Sequence, residues 1–65
     1  MNATQSLELL ANACTGYLAA REQLRHTPEG SDEERHALTE AVSALERVRQ
    51  QVDTAVKALE AGRAA

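Results

Sequence analysis

The segment HTPEGS, residues 26–31, interrupts a chain that otherwise favours helix throughout. The residue before a proline avoids helical dihedral angles, and Gly30 can adopt dihedral angles that other residues resist. Ser31 and Glu34 follow with the spacing of a capping box, in which each side chain accepts a hydrogen bond from the backbone N–H of the other residue. These signals predict two helices joined by a tight turn at 27–31.

The composition supports this architecture. The 65 residues contain one aromatic side chain, Tyr17, and are rich in alanine, leucine, glutamate, arginine and glutamine. We therefore predict a single all-α domain, residues 1–65, folded as an antiparallel two-helix hairpin with helices at about 3–26 and 32–62. Asn2 or Thr4 is the expected cap of the first helix, and the tail, 62–65, is expected to fray.

A seven-residue repeat runs along the second helix. One heptad position is occupied by leucine or valine, a second by alanine or valine, and two further valines widen the apolar stripe. In that order they are Leu38, Leu45, Val52 and Leu59; Ala41, Val48 and Ala55; Val42 and Val56. The pattern is typical of coiled-coil packing, with the remaining circumference solvated.

The first helix carries a wider apolar arc than the second, covering roughly 200° at 100° per residue. Its centre is Leu7, Leu10, Cys14, Tyr17 and Leu24, bordered by Ala11 and Leu18 on one side and by Leu9, Ala13 and Ala20 on the other, with Gly16 just beyond. One antiparallel neighbour cannot cover this arc. We therefore expect a further helix, supplied by dimerisation into a four-helix bundle with coiled-coil-like packing or by another helical protein.

Gly16 is the unusual residue of the first helix, because glycine costs about 1 kcal/mol relative to alanine in a helix interior. The compensating gain would be close approach of the partner helix along Ala13, Gly16 and Ala20. The alternative is that glycine is merely tolerated there. The second helix is the longer one, so its turns from about Val56 are expected to extend past the first helix and to expose Val56 and Leu59.

The predicted interface combines this edge with the aromatic and charged residues near it: Leu9, Ala13, Gly16, Tyr17, Ala20, Arg21, Leu24, Arg49, Val56 and Leu59. Tyr17 is either an interface anchor or a core tyrosine with its hydroxyl at the rim. Arg21 and Arg49 fall within or beside apolar arcs, so they are expected to extend toward water or to pair with carboxylates, Arg49 with Asp53 or Glu46.

No constellation of residues indicates catalysis, a cofactor or a metal, and we expect a non-enzymatic protein. Cys14 is the only cysteine, which excludes an internal disulfide, and a cysteine within an apolar stripe usually behaves as a small hydrophobe. His26 and His36 match no ligand spacing. The net charge of −3 provides no basic field for nucleic acid, and no apolar run is long enough for a membrane span. We therefore expect a cytoplasmic protein whose partners are proteins.

The segment LAAREQL, Leu18 to Leu24, together with Leu38 and the later Ala44-Leu45-Glu46, resembles the small cochaperones that help hold needle subunits in bacterial type III secretion. That resemblance implies a helical hairpin that binds a helical-repeat chaperone through its first helix. The architecture is also similar to the plasmid copy-number regulators of Rop type, which are antiparallel hairpin dimers.

The function expected from the sequence is that of a small adaptor, chaperone or regulator that buries a leucine- and alanine-rich helix face against a partner protein. An RNA-binding regulatory bundle of Rop type is one alternative, although it would require a basic face, and the outward residues here mix glutamate and arginine. A purely structural oligomerisation module is the other.

Overall fold

The computed structural model describes residues 2–64, and side chains up to residue 62. Two helices, α1 (Ala3–Arg25) and α2 (Asp32–Ala64), account for the regular structure in this range. They pack side by side as a rod of 52 × 13 × 12 Å. The predicted all-α hairpin is confirmed. Of the tail expected to fray, residues as far as Ala64 continue α2, and Ala65 lies outside the described residues.

Helix α1 begins at a complete capping box. The Gln5 N–H donates to Asn2 Oδ1 at 2.8 Å, and the Asn2 N–H donates to Gln5 Oε1 at 3.3 Å. Of the two predicted caps, Asn2 is therefore the residue that starts the helix. These bonds satisfy backbone donors that have no partner inside the first turn of a helix.

The turn that joins the helices differs in one detail from the predicted capping box. The Glu34 N–H donates to Ser31 Oγ at 3.1 Å, as expected. The carboxylate of Glu34, however, accepts from the Gly30 N–H at 3.0 Å, because the Ser31 N–H donates instead to the carbonyl of Pro28. Gly30 has a φ of +78°, in the left-handed region that favours glycine.

The most deeply covered part of the contact between the helices consists of small side chains. Among the described residues, the most deeply covered are Ala37, Ala41 and Ala44 of α2, each at most 7% exposed, and Ser6 of α1. Leu10, Ala13, Tyr17, Ala20 and Leu24 are half-buried along the same side of α1. The hydroxyl of Ser6 and Oε1 of Gln51 are covered without a hydrogen-bond partner. Such a contact buries little apolar surface for the length of the rod.

The expectation that α2 extends past α1 from about Val56 is wrong. Val56 and Leu59 line a shallow groove together with Ala3 and Leu7 of the first helix. Since α1 begins as early as Ala3, it reaches the level of Leu59, and only the last turn of α2 lies beyond the groove.

Candidate functional site: an exposed apolar face

Helix α2 carries two apolar stripes that are offset by one residue. The inner stripe, which faces α1, consists of Ala37, Ala41, Ala44, Val48, Gln51, Ala55 and Ala58, all buried or half-buried. The outer stripe consists of Leu38, Val42, Leu45, Arg49, Val52, Val56 and Leu59, all exposed. Both follow the alternating spacing of four and three residues that keeps side chains on one side of a coiled helix. The larger side chains thus lie on the stripe that α1 does not cover.

The exposure of the outer stripe is large. Its six leucine and valine side chains are between 41% and 59% exposed, with Val52 the lowest and Val42 the highest. Full burial of a leucine or valine side chain stabilises a fold by about 1.5–3 kcal/mol, so leaving six of them half in water forgoes a large stabilisation. The residues of the predicted heptad therefore lie on two surfaces: its alanines lie in the hairpin contact, and its leucines lie outside it.

Helix α1 extends the same surface. Leu7 is 57% and Leu18 is 52% exposed, and they lie eleven residues apart, which places them on one side of a helix. Leu7 lines the groove formed with Val56 and Leu59, so the two helices present their uncovered side chains on the same side of the hairpin. We call this surface the outer face and define it as the outer stripe together with Leu7, Ala11, Cys14 and Leu18.

The opposite side of the hairpin is polar. Gly16, Ala19, Ala20 and Gln23 of α1 meet Thr39, Glu40, Ser43 and Arg47 of α2 around a shallow depression. A β-carbon added to Gly16 would have no heavy atom within 4 Å, so α2 makes no close approach to this glycine. Leu9 lies on this side too, beside Gln5, Glu8 and Asn12. The edge of Ala13, Gly16 and Ala20 therefore adjoins polar side chains.

The residues predicted for the interface are divided between these surfaces. Ala13, Tyr17, Ala20 and Leu24 are half-buried toward α2, Leu9 and Gly16 are exposed on the polar side, and Arg49, Val56 and Leu59 are exposed on the outer face. Arg21 is exposed as well. A partner helix at the edge of Ala13, Gly16 and Ala20 stays a prediction: Gly16 is open, whereas Ala13 and Ala20 are already half-buried beside α2.

Arg49 is the one charged member of the outer stripe. Its Nη1 donates to Glu46 Oε1 at 3.0 Å, one of the two pairings expected from the sequence. Both side chains remain mostly exposed, so the pair adds little to the stability of a single chain. The guanidinium nevertheless sits midway along an otherwise apolar stripe, where it would have to be matched by any partner.

Groups that could carry chemistry are dispersed. Cys14 is a half-buried free thiol of α1, and His26 pairs with Glu22 at 3.1 Å on the exposed end of the same helix. No three or more histidine, cysteine, aspartate or glutamate side chains gather within the described residues in a way that could hold a metal ion. What the arrangement can do is bind another apolar surface.

The total accessible surface of the chain is large for its mass. Its accessible area is 5069 Å² for a mass of 7.0 kDa. Globular monomers of that mass expose about 4,000 Å² by the usual size scaling, so this chain exposes roughly 1,000 Å² more. The excess follows from the elongated shape of the hairpin, 52 × 13 × 12 Å, in which little of the chain is covered.

Reasoning from the sequence did not single out the exposure of Leu7, Leu18, Leu38, Val42, Leu45 and Val52, although the signal was present. The residue that follows several inner-stripe alanines is a leucine or valine: Ala37-Leu38, Ala41-Val42, Ala44-Leu45 and Ala55-Val56. Two adjacent heptad stripes on one helix predict two separate packing partners. When both stripes are taken as a single heptad, this division between them is lost.

Comparison of the chain with protein-family models, with curated proteins and with solved structures finds no match. Neither described helix is long and apolar enough to cross a membrane.

Proposed function

We propose that this protein is a non-enzymatic protein-binding hairpin, a small adaptor, chaperone or regulator, whose outer face is buried against a helical partner in a four-helix arrangement. The observation that carries the proposal is the inversion of burial on α2, with alanines inside the hairpin and Leu38, Leu45 and Leu59 half in water. Leucines and valines at heptad spacing can pack into an apolar groove between the helices of another protein.

The cochaperones of type III secretion and the Rop-type regulators both offer models for such a role, and both remain proposals. In a cochaperone role, the helices of a partner protein would pack against the hairpin. A Rop-type role would add an RNA-binding surface, for which the polar side gives mixed charge, since Glu40 and Arg47 both line the depression.

The proposal is tested by introducing a photo-crosslinking amino acid at Leu45 of the outer face, with the same amino acid at Ser43 of the polar side as the matched control. Illumination of living cells that produce the protein should yield protein adducts at position 45 and few at position 43, because only the outer face is expected to be covered. Mass spectrometry of the adducts then identifies the attached peptide and shows whether it belongs to a helical segment.

Absence of protein adducts at position 45 would contradict the proposal, and so would equal labelling at both positions. Adducts with RNA in place of protein would favour the Rop-type alternative. A second copy of this chain and a different helical protein are both compatible with the proposed function, and the attached peptide tells them apart.

A further inference from the structure

Building on the proposed function, we infer that the occupant of the outer face is a second copy of this chain, packed across a two-fold axis at Arg49 with the two turns at opposite ends. Each helix then lies on its own counterpart, α2 on α2 and α1 on α1, and all neighbouring helices are antiparallel. The first support is area. Eight leucine and valine side chains of the outer face are 41–59% exposed along both helices, which offers a continuous apolar contact on the scale of the roughly 800 Å² that each partner contributes to a stable interface.

The second support is the order of side chains along the outer stripe. A two-fold interface pairs each residue with another at the same distance on the far side of the axis. Leu38 and Leu59 are centred between residues 48 and 49, as are Leu45 and Val52, and Val42 and Val56 are centred on residue 49. Every apolar residue of the stripe therefore meets an apolar residue of the other copy.

Arg49 makes this register specific. With the axis at residue 49, the two Arg49 side chains face each other at the centre of the stripe. A shift by one heptad would place each arginine, with its Glu46 partner, against an apolar residue of the other copy, where burying the charged pair is costly. A single polar residue at a core position sets register in coiled coils in this way.

Helix α1 has the same centre of symmetry. Leu7 and Leu18 are centred between residues 12 and 13, as are Ala11 and Cys14. Leu10 of α1 and Val52 of α2 line the same groove, so they lie at about the same level along the rod. With the helices aligned in this way, their two centres of symmetry differ in level by about one residue, or 1.5 Å. One axis perpendicular to the helices can therefore serve α1 and α2 together.

The charges around the axis are complementary. Glu46 already pairs with Arg49 within one chain, and Asp53 follows Arg49 by one helical turn. In the two-fold arrangement both carboxylates of each copy flank the central pair of arginines, so four negative charges surround two positive ones. Such pairs contribute mainly to the choice of orientation and register.

The test is disulfide formation between single cysteines, in a chain whose own thiol is removed by Cys14→Ser. Arg49 is kept, and a chain carrying Leu45→Cys is mixed with one carrying Val52→Cys, so that the two thiols meet beside the axis and mild oxidation should link the two different chains to each other. Leu38→Cys is the matched control on the same stripe. Its two thiols lie about 21 residues, or roughly 30 Å, apart in this arrangement, so it should stay unlinked alone and should link to a chain carrying Leu59→Cys.

Sedimentation of the unmodified chain accompanies the crosslinking, and circular dichroism checks that each variant keeps its helix content. Failure of Leu45→Cys to link to Val52→Cys in chains that sediment as dimers would overturn the orientation, and a monomer at every concentration would overturn the second copy as occupant. The proposed function would survive either result if the photo-crosslinker at Leu45 joined a different helical protein, so the two failures are distinguishable.

Discussion

At the scale of single residues, the three glycines of the chain are not equivalent. Gly30 has a φ of +78° in the turn, whereas Gly16 lies inside α1 with open space around it. The backbone therefore requires glycine at Gly30, and the hairpin does not require it at Gly16. Any need for Gly16 would have to come from a second molecule on the polar side.

Alanine substitutions should consequently have opposite effects at these two positions. Gly16→Ala is expected to raise the free energy of unfolding by about 1 kcal/mol, since alanine is the better helix former. Gly30→Ala is expected to lower it by about 1–2 kcal/mol, because its β-carbon is strained at positive φ. Urea titrations followed by circular dichroism at one chain concentration measure both. Weaker self-association of Gly16→Ala would instead support a close contact along Ala13, Gly16 and Ala20.

At the scale of the helices, the small side chains of the inner stripe set how closely α1 and α2 approach. Ala37, Ala41 and Ala44 are each at most 7% exposed, so they are the residues of α2 that α1 covers most completely. On α2 this is the reverse of the usual arrangement, in which leucines face the other helix, while α1 contributes Leu10 and Leu24 to the contact. The inner stripe of α2 is made mostly of alanine, whereas the outer stripe is made mostly of leucine and valine.

An enlarged inner-stripe residue should therefore destabilise the hairpin. Ala44→Leu is expected to lower the free energy of unfolding by about 1–3 kcal/mol, because overpacking forces the helices apart. Ala19→Leu, on the exposed side of α1, is the control and should change it by less than about 0.5 kcal/mol. Thermal unfolding of the two variants at equal concentration compares them. Similar stability for both would show that the inner stripe is not a close contact.

At the scale of the whole molecule, the hairpin is a rod of 52 Å with a thin core and one long apolar side. A chain of this size usually needs oligomerisation or another reinforcement to be stable. Folding and association are therefore expected to be linked, so that thermal stability rises with chain concentration.

A charged side chain on the outer face should weaken self-association. Leu45→Glu is expected to weaken self-association by roughly 100-fold, since each dimer loses two buried leucines and gains two desolvated carboxylates. Ser43→Glu adds the same charge on the polar side and should leave the association constant nearly unchanged. Sedimentation equilibrium over a range of concentrations measures both constants. Equal weakening by the two variants would point to a general effect of charge and against the outer face.

The sequence alone determined the local structure. Pro28, Gly30 and the pair Ser31 and Glu34 fix the turn, because they act on neighbouring backbone groups whose partners lie within a few residues. Seven-residue periodicity determined that the helices are amphipathic. The heptad could not show which of the two adjacent stripes of α2 meets α1, since both have the spacing that a neighbouring helix needs.

Only the tertiary structure decided that choice. Rotating α2 by about 100°, the angle between consecutive residues, exchanges Ala44 for Leu45 at the contact without changing any local hydrogen bond. The choice depends on how closely two whole helices can approach when the turn joins them, which is a property of both surfaces together. The exposed leucines, and with them the surface that we propose for a second copy, follow from that packing.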